Sequence, residues 1–316
     1  MADQKIKILA VVGPTASGKS ALALDLAERY NGEIVSCDSM QVYRGMDIGT
    51  AKPTSEERAR VPHHLIDIAD PGESFTAADY VDAARKAVDD IVSRGALPVF
   101  CGGTGLYLDS FLRGGGFGET ESDPSLRESL RLEAERLGAE ALHERLKNID
   151  LESAAAIHPN NVRRVIRALE IYELTGKTKS ELDRLSRIPD SAYDTVIIGL
   201  RFSDREKLYR RIDKRVDAMI EAGLADEVAE LKDAGVFEKS CTAAQAIGYK
   251  ELLGALSGDI PFDDAVEELK RATRRYAKRQ MTWFSADPRV NWIDVCEVGE
   301  GLLDAACRIF EEHGGR

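Results

Sequence analysis

Gly13-Pro14-Thr15-Ala16-Ser17-Gly18-Lys19-Ser20 decides the fold. The stretch reads G-x-x-x-x-G-K-S; it follows the apolar run 6–12 and precedes a helical pattern over 21–30. Strand, glycine loop and helix in that order make a phosphate-binding P-loop. The glycines let the backbone curl until successive N–H groups point inward, Lys19 adds a point charge, and Ser20 offers a hydroxyl to a Mg²⁺ ion bound with the phosphates. The motif implies a held diphosphate. Whether that diphosphate belongs to a nucleotide or to another ligand, the motif leaves open.

Working outward, residues 33–36 read as a short second strand that delivers Cys37, Asp38, Ser39, Met40 and Gln41 to its carboxyl end, the edge where open parallel sheets bind ligands. An acid there is a magnesium ligand, a general base, or the side chain of an Asx turn. Residues 44–53 are polar and glycine-punctuated, and so long a loop beside a phosphate site reads as a binding segment. A third strand is predicted over 64–68. His63 and His64, adjacent on an extended chain, point to opposite faces and make a poor chelate, so their reading is structural. Thr76 and Asp79 form a capping box for a helix to about residue 92, closed by Gly95. The strand 97–101 then leads into Gly102-Gly103-Thr104-Gly105, a second glycine turn feeding a helix, with the Thr104 hydroxyl expected to face the first loop. No Asp or Glu ends that strand, so the magnesium carboxylate of an ATPase is absent from its usual place.

Composition shifts at the glycine run 114–118, and from Asp123-Pro124, an N-cap followed by a proline at the first helical position, to about residue 187 the pattern is all helical. The expected organisation is therefore a core in two parts, 1–113 and 193–316, around a helical insertion at 114–192. The fold class is α/β: a P-loop NTPase-like parallel sheet flanked by helices, carrying an all-helical insertion domain. Within the insertion, Val162, Val165, Ile166 and Leu169 make an apolar stripe, with Arg163, Arg164 and Arg167 on the other side. After a strand near 196–200, Ser203 and Glu206 are expected to cap a helix that carries Arg215. A long helix over about 262–285 packs Lys270, Arg271, Arg274, Arg275, Lys278 and Arg279 into ten residues without an acid. Either this is a solvated face or a cationic surface for a polyanion. Asp263-Asp264 at its start echoes the aspartate-rich magnesium motif of prenyl synthases, although complementing the helix dipole is the simpler role.

The whole chain, 316 residues with 43% hydrophobic and 31% charged, can bury a substantial core. It has no run of about 18 apolar residues and no signal-peptide layout, which makes the cytoplasm the expected location. Five cysteines lie far apart, so a zinc site or disulfide framework is not expected. A net charge of −12 argues against a protein coated in nucleic acid, and any polyanion must meet a local basic surface.

These blocks together resemble the tRNA dimethylallyltransferases. The likeness rests on residues 13–20, on Asp38 through Pro53, on Gly102 to Tyr107, on His158-Pro159-Asn160 followed by Arg163, Arg164 and Arg167, on Gly248-Tyr249, and on Lys278 to Phe284. It spans essentially the whole chain and, lacking a zinc-finger extension, is of the bacterial type. The resemblance implies transfer of a dimethylallyl group from dimethylallyl diphosphate to N6 of the adenosine just 3′ of a tRNA anticodon, with Mg²⁺ at Ser20 and release of diphosphate. It implies Asp38 as base, Thr104 near the reacting atoms and Arg215 as a further diphosphate ligand. It also implies tRNA contacts by Asp38, Ser39, Met40, Gln41, Thr104, Arg127, Val162, Arg163, Arg164, Val165, Ile166 and Arg167, joined by Arg274, Arg275 and Lys278 on the basic helix. Nothing in the sequence demands more than a monomer. A P-loop kinase acting on a small molecule with ATP is the alternative, and it leaves the basic helix unexplained.

Overall fold

The structure, a computed structural model, describes residues 5–113, 123–185, 192–238 and 242–315. In chain order the elements are β1 (Ile6–Val12), α1 (Lys19–Arg29), β2 (Gly32–Ser36), α2 (Ser55–Arg60), β3 (His63–His64), α3 (Ala77–Ser93), β4 (Leu97–Gly102) and α4 (Gly105–Leu112). The helices α5 (Pro124–Leu137), α6 (Ala139–Ile149), α7 (Leu151–Ala156), α8 (Val162–Thr175) and α9 (Lys179–Leu185) follow. The chain then runs through β5 (Tyr193–Arg201), α10 (Arg205–Glu221), α11 (Leu224–Asp233), α12 (Tyr249–Leu256), α13 (Phe262–Ser285), β6 (Val290–Asp294), α14 (Val295–Val298) and α15 (Leu302–Glu312).

Six strands pair in the order β3-β2-β4-β1-β5-β6, every pair parallel. Parallel strands need helical crossovers and are covered on both faces, so β1 is apolar almost throughout and Ile8 to Val12 are all buried. On one face Leu9, Val11, Val99 and Ile198 pack with Leu22 and Leu26 of α1 and with Cys307 and Phe310 of α15. A second apolar cluster joins α10, α11, α12 and α13 to the segment after β2, through Val42, Tyr43, Met46, Val216, Val228, Tyr249 and Leu269.

Two local expectations are corrected. The third strand stops at His64, because Leu65 (φ 63°) and Asp67 (φ 59°) adopt the left-handed conformation, which breaks a ladder. The turn they make brings Asp67 to the buried Lys52 ammonium, Oδ1 to Nζ 2.5 Å. His63 and His64 bond Val61 O and Glu33 respectively, a structural use. The helix α10 is capped by Asp204, whose carboxylate accepts from Glu206 N and Lys207 N, while Ser203 bonds Asp294 Oδ1. Cys37, Cys101 and Cys307 are buried and Cys296 half-buried, all as free thiols; Cys241 lies outside the described residues.

The described residues fall into two compact units, one of 1–109 with 192–316 and one of 110–191. The second unit has its own core, in which Leu130, Leu142, Leu146, Val165, Ile166 and Leu169 meet. The glycine run 114–118 lies outside the described residues.

Candidate active site

The P-loop leaves β1 through Gly13, whose φ is 144° and whose missing side chain matters: a Cβ would stand 2.9 Å from Leu200 O. Ala16 (φ 62°) and Gly18 (φ 95°) are left-handed as well, so the loop curls back on itself. No side chain caps the start of α1, which leaves its first N–H groups to the ligand side of the loop. Two distant residues hold the curl. Arg211 of α10 donates from Nε to Ala16 O at 2.8 Å, and Gln280 of α13 accepts from Thr15 N at 2.8 Å.

At the neighbouring strand ends, Cys37 N donates to Cys101 O (2.8 Å) and Thr104 N donates to Cys37 O (3.1 Å), tying the edge of β2 to the glycine turn after β4. Gly102 packs so tightly on the Cys37 carbonyl that no Cβ fits. The Thr104 hydroxyl accepts from Ser39 N at 3.0 Å. It therefore faces the Asp38 turn, which corrects the expectation that it faces the first loop. Gln280 makes that link instead, donating from Nε2 to Gly103 O at 3.1 Å while holding Thr15. Sequence reasoning missed Gln280 as a site residue. The available signal was a glutamine at a buried position of α13, in register with Leu269, Ala272 and Phe284.

Asp38 does two things. Its Oδ1 accepts from Met40 N at 2.9 Å, which is an Asx turn, and the residue lines a cavity of about 540 Å³ together with Lys19, Ser20, Arg215 and Tyr276. Desolvation lowers the pKa of Lys19 from its ordinary value, and the charge of Arg215 adds to this while Cys101 and Asp38 oppose it. Arg215 is likewise lowered by desolvation and raised by Asp38. Neither cation forms an ion pair with a carboxylate among the described residues within 4 Å. Burial, followed by the charge of Asp38, raises the Tyr276 phenol far above its usual range. Two cations, the uncapped N–H groups at the start of α1 and one carboxylate thus share a cleft, suited to an anionic leaving group beside a proton acceptor.

Several expected RNA contacts are corrected. The Gln41 amide accepts from Ser36 Oγ (2.9 Å) and donates to Thr50 O and Ala51 O (3.2 and 3.1 Å), so its side chain is tied into the cleft wall. Val165 and Ile166 are 1% and 8% exposed in the core of their unit, out of reach of a ligand, and Val162 is half-buried against the same core. Arg127 and Arg167 both bind the buried Glu170 carboxylate, at 2.8 and 2.6 Å. Burial alone would raise that carboxyl, but hydrogen bonds from Arg167 and Arg127 outweigh it and hold it below its usual value. Arg163 and Arg164 are exposed, and no ion pair to a carboxylate engages either among the described residues.

The basic helix is also less cationic than its sequence. Arg274 binds Asp213 with both carboxylate oxygens (2.7 and 2.8 Å), Arg271 and Arg275 bind Glu268, and Lys270 binds Asp217 at 2.8 Å. Within α13 the acids sit one turn before the basic run, and α10 supplies the others. Lys278 and Arg279 are exposed and outside these pairs.

The fold and cleft define an α/β protein of P-loop-like fold, with a glycine loop and a carboxylate at neighbouring strand ends. Residues 41–287 match the family described as IPP transferase, and the chain belongs to that family. It is 51% identical over 294 residues to the tRNA dimethylallyltransferase of Halalkalibacterium halodurans, covering 93% of each chain, and 51% identical over 296 residues to that of Bacillus subtilis, again 93% of each. Among solved structures it is similar to the full-length tRNA isopentenylpyrophosphate transferase of Bacillus halodurans, with TM-score 0.71, 46% identity and 98% of both chains covered. It is also similar to a eukaryotic dimethylallyltransferase acting on tRNA, with TM-score 0.80, 31% identity, and 96% of this chain and 78% of that one covered.

Proposed function

We propose that this protein transfers the dimethylallyl group of dimethylallyl diphosphate to N6 of the adenosine 3′-adjacent to a tRNA anticodon. The carrying observation is the meeting of Lys19 and Arg215 with Asp38 in one cleft, at strand ends that have no hydrolytic carboxylate after β4. In the transfer the bond between the allylic carbon and the diphosphate oxygen breaks, a bond from N6 to that carbon forms, and the amine proton passes to Asp38. The uncapped N–H groups at the start of α1, with Lys19 and Arg215, stabilise the charge that grows on the departing diphosphate. An adenine amine is a weak nucleophile, so alignment in the cleft contributes much of the rate. The base must leave its stack to enter, at a cost of a few kcal/mol that RNA contacts offset.

The donor set suits a hard cation held chiefly by the diphosphate. Ser20 lines the cleft, and no group of three His, Cys, Asp or Glu that could hold a metal exists among the described residues. When bound, Mg²⁺ would neutralise diphosphate charge from the Ser20 side. Arg163, Arg164 and Lys278 are the exposed cations best suited to RNA phosphates, and the enzyme would work on tRNA in the cytoplasm as a monomer. No helix among the described residues is long and apolar enough to cross a membrane.

The test supplies labelled dimethylallyl diphosphate, Mg²⁺ and unmodified tRNA to the purified protein. Label is expected in RNA, at the adenosine beside the anticodon. Consumption of ATP with phosphorylation of a small molecule, and no label in RNA, would replace this reading with that of a kinase.

A further inference from the structure

The segment 47–53 forms one wall of the cleft, with Gly49, Thr50, Ala51 and Lys52 among its lining. What fixes that wall lies far along the chain. On α11, Glu227 Oε2 accepts from Asp47 N at 2.8 Å and from Ile48 N at 2.7 Å, and Oε1 accepts from Gly49 N at 3.1 Å and from the Tyr249 hydroxyl at 2.6 Å. A carboxylate offers about four lone-pair positions to donors, so Glu227 is saturated. Three successive backbone N–H groups turned toward one anion make a nest, a geometry that a neutral side chain does not complement. The Tyr249 ring occupies the place a Gly49 side chain would need, since a Cβ there would stand 2.6 Å from it.

The wall continues inward. Thr50 O and Ala51 O accept from Gln41, which sits in the same turn as Asp38. The phosphate loop is held separately, by Arg211 on Ala16 and Gln280 on Thr15. Glu227 itself does not line the cleft.

We propose that Glu227 is a positioning residue for prenyl transfer: by gathering the amides of Asp47, Ile48 and Gly49 it sets the wall and the Asp38–Gln41 turn against which the acceptor base is aligned, without acting on the diphosphate. This rests on the prenyl-transfer reading above. The side chain acts on the acceptor half alone because no hydrogen bond of the phosphate loop passes through it.

The test is steady-state kinetics of Glu227→Gln, with Tyr249→Phe as a milder second variant, each beside the unaltered protein and with diphosphate affinity measured by calorimetry. The glutamine keeps the volume but presents an amide hydrogen to one of the donors. Expected for Glu227→Gln is a fall of about ten- to a hundredfold in kcat/KM for tRNA, as small misplacements produce, with KM for dimethylallyl diphosphate and diphosphate affinity unchanged within about twofold. Tyr249→Phe should move the same constant in the same direction by less. A lowered melting temperature with unchanged kcat/KM for tRNA would reduce Glu227 to a structural residue and overturn the proposal, as would equal losses toward both substrates. Failure of the unaltered protein to prenylate tRNA would instead overturn the reading on which it rests.

Discussion

Asp38 combines a turn bond with a free role in the cleft, and the first makes the second useful. The bond from Met40 N fixes the carboxylate plane, so the anion is aligned before the base arrives. Asp38→Asn should keep that turn, because the amide oxygen still accepts from Met40 N, while losing the charge proposed to take the proton. We expect kcat to fall by about 10²- to 10⁴-fold, with tRNA affinity within about threefold, checked by single-turnover kinetics and filter binding. Equal losses in rate and affinity would make Asp38 a binding residue. At the same scale, Gln41 has a residue type and position that suit base recognition, and Ser36, Thr50 and Ala51 hold its amide in place.

Among the elements, α13 does more than present charge. Its buried face carries Gln280, 4% exposed, which joins the two glycine loops across the strand ends. Gln280→Ala should leave Thr15 N and Gly103 O without that partner in a closed space, at a cost of about 1–3 kcal/mol for each group water fails to reach. Diphosphate affinity should fall with it, since Gln280 holds Thr15 and so fixes the curl of the loop proposed to take the diphosphate. Gln280→Glu should do no better, because one oxygen still accepts from Thr15 N while the other opposes the Gly103 carbonyl. Urea denaturation and calorimetric titration read both effects; unchanged values in either variant would mean that the loops hold their shape without the helix. Gly103 belongs to the same device, having no room for a Cβ against the glutamine.

At the scale of the molecule, charge pairing decides which cations of α13 are available to a polyanion. The chain carries a net charge of −12, and the structure neutralises most of the basic run on α13 with acids from that helix and from α10. Lys278→Ala should therefore lower the log–log salt slope of tRNA binding by about 0.7–0.9, the value for one phosphate, whereas Arg271→Ala should change it much less. Equal changes at both positions would mean that the Glu268 pair opens when RNA binds.

The sequence by itself determined the parallel α/β core, the phosphate loop and the Asp38 edge, because a strand, a glycine turn and a helix start are local patterns whose geometry follows from a few adjacent residues. The family resemblance supplied the expected donor, the expected acceptor and most of the expected contacts. Only the tertiary structure decided which polar groups remain available, since Glu170 takes Arg127 and Arg167, Asp213 takes Arg274, and Glu227 holds a loop about 180 residues before it. Partners that far apart leave no periodic trace in one sequence; their pairing is fixed by how the helices pack.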